Sequence, residues 1–143
     1  MSIVTRCLSV IIMLLLIGCG SGPRGERLFE PNPVTGVVHI DGQPAQYVQV
    51  DCYPASESTA IKYKLSTMTN QDGRFELTTY ESGDGLPEGT YKLTFQWLEI
   101  GLVSYDKFEG AYADPEKSQN TITVVKGESS DLGIIELSSS GPS

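Results

Sequence analysis

Residues 86–97, with the sequence LPEGTYKLTFQW, constrain the fold more than any other stretch of the chain. After the turn residues Pro87 and Gly89, large apolar side chains alternate strictly with polar ones. The apolar set is Tyr91, Leu93, Phe95 and Trp97. A period of two places one set on each face of a pleated strand. Because the apolar face must be covered by a second layer, this strand predicts a packed β domain.

Six further segments with a similar pattern are separated by turn residues, and no stretch has the period of an amphipathic helix. The sequences DG at 41–42 and NQDG at 70–73 are hairpin signals, in which Asp41 and Asp72 are expected to bind their own turns. This spacing predicts an all-β, seven-stranded sandwich. The predicted strands cover residues 34–40, 46–53, 63–69, 74–78, 86–97, 120–126 and 132–137.

The segment 98–119 is longer than most connections in a compact domain, and residues 100–105 within it could add an edge strand. It contains Tyr105, Phe108 and Tyr112 beside acidic residues. These aromatic side chains could form a platform for a glycan or a peptide, because such surfaces combine aromatic rings with a polar rim. Alternatively, they fold back and cover one face of the sandwich, which is the interpretation we favour.

The N-terminus has the pattern of a secretory signal, predicted over residues 1–18: Arg6 precedes an apolar run at 8–17. That run is shorter than the roughly 20 apolar residues of a membrane-spanning helix. The sequence LIGC at 16–19 resembles the bacterial lipobox, which implies that Cys19 carries lipid, including palmitate, and anchors the protein in a membrane. The alternative is an ordinary secretory signal with a chance cysteine.

The segments flanking the predicted domain are rich in small and turn-forming residues. Residues 19–33 are predicted to form a flexible tether, and residues 138–143 a disordered tail. Loss of the signal and lipidation of Cys19 would leave Cys52 as the one free thiol, so no intrachain disulfide is expected. Cys52 follows Val48 and Val50 at a period of two, which predicts a small buried side chain.

The residue types for a catalytic or metal site are scarce. The formal net charge of −8 argues against a nucleic-acid partner. The single histidine, His39, lies in a predicted strand, and the sequence has no G-x-S-x-G motif and too few His and Cys for a zinc site. The loop carboxylates lack the spacing of a calcium loop; they are Asp72, Glu81, Asp84 and Glu88. We therefore expect no catalytic residue, metal or cofactor, and predict that the chain is not an enzyme.

Two stretches carry a further pattern: VTGVV at 34–38 with DGQPA at 41–45, and TNQDGRFEL at 69–77 with LPEGTYKL at 86–93. They resemble the carboxypeptidase regulatory-like domain, of transthyretin (prealbumin) type. The chain is also similar to small bacterial lipoproteins with this domain, through residues 83–93 and the YADP sequence at 112–115. The resemblance implies a transthyretin-like sandwich over residues 34–137, located in the cell envelope at the outer membrane or a periplasm-facing leaflet.

Enzymes with related folds use residues that this chain lacks. Transthyretin-like hydroxyisourate hydrolases, for example, have several histidines and a C-terminal Tyr-Arg-Gly-Ser, whereas this chain ends in SGPS. The resulting hypothesis is a non-enzymatic, lipid-anchored module of the cell envelope with a structural or protein-interaction role. The alternative is a glycan- or peptide-binding module that uses Tyr105, Phe108 and Tyr112. The predicted partners are the membrane, through Cys19, and an unknown envelope protein or glycan.

Overall fold

A computed structural model describes residues 27–143, so the predicted signal, Cys19 and the first part of the predicted tether lie outside the described residues. The described chain is all-β, and it includes no helix of the length and apolarity needed to cross a membrane. Its nine strands are β1 Val34–Ile40, β2 Gln43–Pro44, β3 Val48–Pro54, β4 Leu65–Met68, β5 Arg74–Glu76, β6 Gly89–Glu99, β7 Tyr105–Asp106, β8 Thr121–Val124 and β9 Ser130–Leu137.

The strands form two sheets that pack as a sandwich. In the first sheet, β1 pairs in parallel with β9 on one side and antiparallel with β2 and β5 on the other. In the second sheet the order is β4-β3-β6, and β7 and β8 share the outer edge of β6. All pairs of the second sheet are antiparallel. The prediction of an all-β sandwich is confirmed.

The alternating pattern of β6 determines which side chains enter the core. Tyr91, Leu93 and Phe95 are buried between the sheets, and Trp97 is half-buried at the end of the strand. Facing strands contribute small and branched apolar residues, because the same period of two applies to them. The main contributions are Val34, Val38 and Ile40 from β1, and Val48, Val50 and Cys52 from β3.

The glycine of the VTGVV sequence has a packing role in this core. Gly36 on β1 lies directly opposite Phe75 on β5. A Cβ atom at position 36 would lie 2.7 Å from Cζ of the Phe75 ring, closer than two carbon atoms can approach. The absence of a side chain at Gly36 therefore allows the ring to lie flat across β1.

Two hairpin turns form where the sequence predicts them, although different polar groups stabilise them. Asp41 and Gly42 have φ values of 51° and 80°, as a tight two-residue hairpin requires. In the second turn, the Asn70 Oδ1 atom accepts hydrogen bonds from the Asp72 and Arg74 amides, each at 3.0 Å. The turn-binding role predicted for Asp72 therefore belongs to Asn70, and the Asp41 carboxylate instead accepts from the Ser139 amide.

The strand count differs from the seven predicted. The two additional strands, β2 and β7, have only two residues each. Residues 100–104 form an exposed bend rather than the suggested edge strand, and pairing with β6 resumes only at Tyr105 and Asp106. The reason is that β6 and β7 form a hairpin, whose connection must leave the sheet in order to reverse direction.

Asn32 fixes the N-terminal end of the domain, although the sequence predicts that it belongs to the flexible tether. The backbone of Asn32 exchanges two hydrogen bonds with Leu86, at 2.7 and 2.9 Å. Its Oδ1 atom accepts from the Gly127 amide at 2.6 Å, and the residue is buried. We call this end of the sandwich the tether end; the β6–β7 connection lies at the opposite end of β6.

Candidate functional site

The outer edge of β6 is only partly covered by other strands. β8 pairs with its first four residues and β7 with its last two, so the middle of the edge has no strand partner. The segment that follows β7 covers it: the Leu93 amide donates to the Asn120 carbonyl at 2.8 Å, and the Phe95 amide to the Tyr112 carbonyl at 3.0 Å. The long connection after Trp97 therefore satisfies the backbone of the central strand.

Asp106 holds the beginning of this segment in place. Its Oδ1 atom accepts hydrogen bonds from the Trp97 amide at 2.8 Å and the Phe108 amide at 3.0 Å, and its Oδ2 atom accepts from the Gly110 amide at 3.0 Å. Hydrogen bonds to an ionised carboxylate are stronger than those between neutral groups. One side chain thus joins β6 to the turn that follows β7.

The three aromatic residues predicted as a ligand platform lie in different environments. Phe108 is buried, with its ring centroid 4.8 Å from that of Tyr112 and 5.8 Å from that of Trp97. Tyr112 is half-buried, whereas Tyr105 is exposed on β7. Phe108 belongs to the core, where a ligand does not reach it. The structure therefore places Phe108 as the fold-back interpretation has it, and Tyr112 lies beside a cavity.

That cavity is a cleft of about 550 Å³ between residues 111–120 and the C-terminal residues 136–143. The apolar lining residues are Leu93, Phe95, Ala111, Leu137 and Pro142, of which Ala111 and Pro142 are exposed. The polar and charged lining residues are Asp41, Tyr112, Asp114, Lys117, Ser118, Gln119, Asn120, Glu136, Ser138 and Ser143.

The C-terminal wall of the cleft consists of residues that the sequence predicts to be a disordered tail. The Tyr112 hydroxyl donates to the Ser138 carbonyl at 3.2 Å and accepts from the Ser138 amide at 2.9 Å. The Ser139 amide donates to Asp41 Oδ1 at 3.1 Å, and hydrogen bonding by Ser139 lowers the pKa of Asp41. The tail is thus bound at two points, and its composition of Ser, Gly and Pro gave no signal of this.

The ionised groups of the cleft are mainly acidic. Asp41, Asp114 and Glu136 are the acidic residues of the lining, and Lys117 is its one basic residue. Lys117 Nζ lies 3.6 Å from Asp114 Oδ2, so its charge is directed towards a carboxylate already present. An anionic ligand would be repelled, whereas a neutral ligand with hydroxyl groups would meet carboxylate and amide acceptors.

The remaining polar groups of the sheets are satisfied by neighbouring residues. His39 Nδ1 lies 3.1 Å from Glu136 Oε1 on the outer face of the first sheet. The buried Asp51 accepts hydrogen bonds from Lys64 and Ser66, at 2.9 and 2.6 Å. This hydrogen bond with Asp51 raises the pKa of Lys64. His39 and Asp51 are thus each held by neighbouring side chains.

Reactive thiols and metal ligands are also absent from the described part of the chain. Burial raises the pKa of the Cys52 thiol, which is fully enclosed in the core and therefore poorly suited to act as a nucleophile. Among residues 27–143, no three His, Cys, Asp or Glu side chains are grouped so that they could hold a metal ion.

No protein-family model and no curated protein matches this sequence. Solved structures that resemble it include a proposed carbohydrate-binding protein from Pseudomonas aeruginosa (12% identity, TM-score 0.46, covering 83% of this chain and 99% of that one). A 5-hydroxyisourate hydrolase from Klebsiella pneumoniae has 20% identity and a TM-score of 0.41, with coverages of 77% and 92%. A 9R-lipoxygenase from Cyanothece has 13% identity and a TM-score of 0.43. The match covers 92% of this chain and 20% of the lipoxygenase, so this chain spans one fifth of that enzyme.

The prediction that the chain is not an enzyme is wrong as an inference from this fold. Two of these three similar structures, the hydroxyisourate hydrolase and the lipoxygenase, are enzymes. The prediction relied on missing motifs, and missing motifs do not exclude catalysis on an architecture that enzymes share. At such low identities and TM-scores, the likenesses transfer neither an activity nor a ligand to this chain.

Substitution of Asp106 by Ala should destabilise the protein by about 2 kcal/mol, because three backbone amides lose a charged acceptor. Chemical denaturation measures this effect. Glu116→Ala is the matched control, since Glu116 is an exposed carboxylate in the same segment. Equal midpoints for the two variants would contradict the role assigned to Asp106.

Proposed function

We propose that the protein is a lipid-anchored component of the cell envelope whose sandwich binds a neutral glycan in the cleft beside Tyr112. The observation that carries the glycan proposal is the composition of the cleft. It combines a half-buried tyrosine and five apolar residues with acidic, amide and hydroxyl residues. Ligand sites typically have this combination, in which apolar surface supplies contact area and a few polar groups fix orientation.

The size and charge of the cleft favour a glycan over the other ligand classes. A volume of about 550 Å³ lies within the usual range for small-ligand sites. Sugar hydroxyls both donate and accept hydrogen bonds, so they complement carboxylates as well as the amides of Gln119 and Asn120. The apolar face of a sugar ring can pack on the Tyr112 ring. Phosphate-bearing ligands are disfavoured by the excess of carboxylates.

The anchor proposal rests on the position of Cys19 at the end of the predicted signal. We expect radiolabelled palmitate to be incorporated into the wild-type protein and not into the Cys19→Ala variant, because the thiol is the attachment point. Cys7→Ala is the matched control, since Cys7 lies in the predicted signal. Labelling of Cys19→Ala at the wild-type level would contradict the proposal.

The glycan proposal is tested by substituting two exposed side chains of the cleft that make few contacts within the fold. We expect Lys117→Ala/Gln119→Ala to weaken glycan binding by about thirtyfold, since two hydrogen bonds of roughly 1 kcal/mol each are lost. An oligosaccharide array identifies the ligand, and calorimetry then gives the affinities. The matched control is Lys126→Ala/Gln71→Ala, which changes the same residue types at exposed positions outside the cleft.

The glycan proposal would be contradicted if no glycan on the array bound the protein, or if the two double variants had equal affinities.

A second candidate function would then remain, namely interaction with an envelope protein by strand addition. The observation that favours it is that β9, eight residues long, pairs on one side only among the described strands. An unpaired edge of this length can accept a strand from another protein.

A further inference from the structure

The connection between β6 and β7 carries an apolar surface that the glycan proposal does not use. Leu102 and Val103 are 109% and 80% exposed, and Ile100 is 53% exposed. We call residues 100–104 the hairpin tip. Its small residues, Gly101 and Ser104, leave these three side chains projecting outward rather than packed on one another. Large apolar side chains grouped in this way mark interaction sites, since their exposure to water is unfavourable.

We propose that the hairpin tip inserts into the lipid interface of a membrane. The surface is convex, so a bilayer can surround it without a preformed groove. Behind the tip lie residue types that favour the boundary between lipid and water: Tyr105, 59% exposed, and Lys107, whose Nζ lies 3.4 Å from the ring centroid of Trp97. Tyrosine, tryptophan and lysine combine apolar surface with a polar end that stays hydrated.

The acidic groups nearest to the tip are neutralised by contacts within the protein. Glu99 Oε2 lies 3.5 Å from Lys107 Nζ. The Asp106 carboxylate accepts three backbone hydrogen bonds, as described above. The hairpin can therefore approach lipid without bringing an unpaired carboxylate to the surface. The whole chain has a net charge of −8, which repels anionic headgroups. The proposed membrane is therefore one whose lipids carry no net charge.

The length of chain outside the described residues is compatible with insertion into the anchoring membrane. The tip lies at the opposite end of β6 from the tether end, and a strand of this length spans about 33 Å. Phe29 packs against the core and its amide donates to the Tyr80 hydroxyl at 3.1 Å, so the free part of the tether ends before it. The chain from Cys19 to Phe29, fully extended, reaches about 35 Å. The lipid on Cys19 and the tip can therefore enter one bilayer when this segment is extended. This step rests on the proposed anchor, whereas insertion of the tip does not.

Trp97, the only tryptophan of the chain, is a native probe at the base of the hairpin. The full-length protein is reconstituted into phosphatidylcholine vesicles that carry a spin label at the headgroup. We expect the label to quench Trp97 fluorescence in the wild type and to lose most of this effect in Leu102→Asp/Val103→Asp. Both positions are exposed, so thermal unfolding should match that of the wild type. Quenching retained in this variant would overturn the proposal.

The matched control is Leu28→Asp/Ile134→Asp, which adds the same charge at two exposed apolar positions away from the tip, and it should remain quenched. Equal loss of quenching in the control would overturn the proposal, since any added charge would then suffice. An unquenched wild type would also overturn it. Palmitate labelling is independent of Trp97, so failure of the anchor proposal and failure of this one are distinguishable.

Discussion

The backbone along the outer edge of β6 is the constraint on which the rest of the structure depends. β6 is the longest strand and has buried side chains along most of its length, yet its partners β7 and β8 cover only its two ends. Each amide or carbonyl left unpaired beside the core would cost about 1–3 kcal/mol. Residues 107–120 remove this cost by supplying carbonyl acceptors at Tyr112 and Asn120.

The way this edge is covered also produces the cleft. An irregular segment bridges the edge without packing closely against the neighbouring sheet, so a gap remains between it and the end of β9. The hydroxyl of Tyr112 spans this gap by binding the backbone of Ser138. The same residue therefore stabilises the C-terminal wall and lines the cavity. Polar residues on both walls give the site the hydrogen-bonding capacity that the glycan proposal requires.

Local pattern was sufficient to predict the seven longer strands, but neither the two-residue strands β2 and β7 nor the cleft. The alternation at Tyr91, Leu93 and Phe95 determines which face of β6 is buried, because a period of two follows from the geometry of a strand. The wall at Ser138 depends instead on hydrogen bonds that join residues 26 positions apart, and no local signal reveals them. Phe108 shows the same limit of sequence-based prediction. An aromatic residue in a loop looks the same in sequence whether its ring contacts a ligand or packs into the core.

The most direct test of this account is the mapping of backbone amide shifts by NMR during titration with a glycan selected on the array. The account predicts that the shifts concentrate on residues 111–120 and 136–143, the two walls of the cleft. Shifts of the Lys117, Asn120 and Ser138 amides should saturate together, since they report one site. Saturable shifts confined to the free edge of β9 or to the outer faces of the sheets would contradict the proposed site.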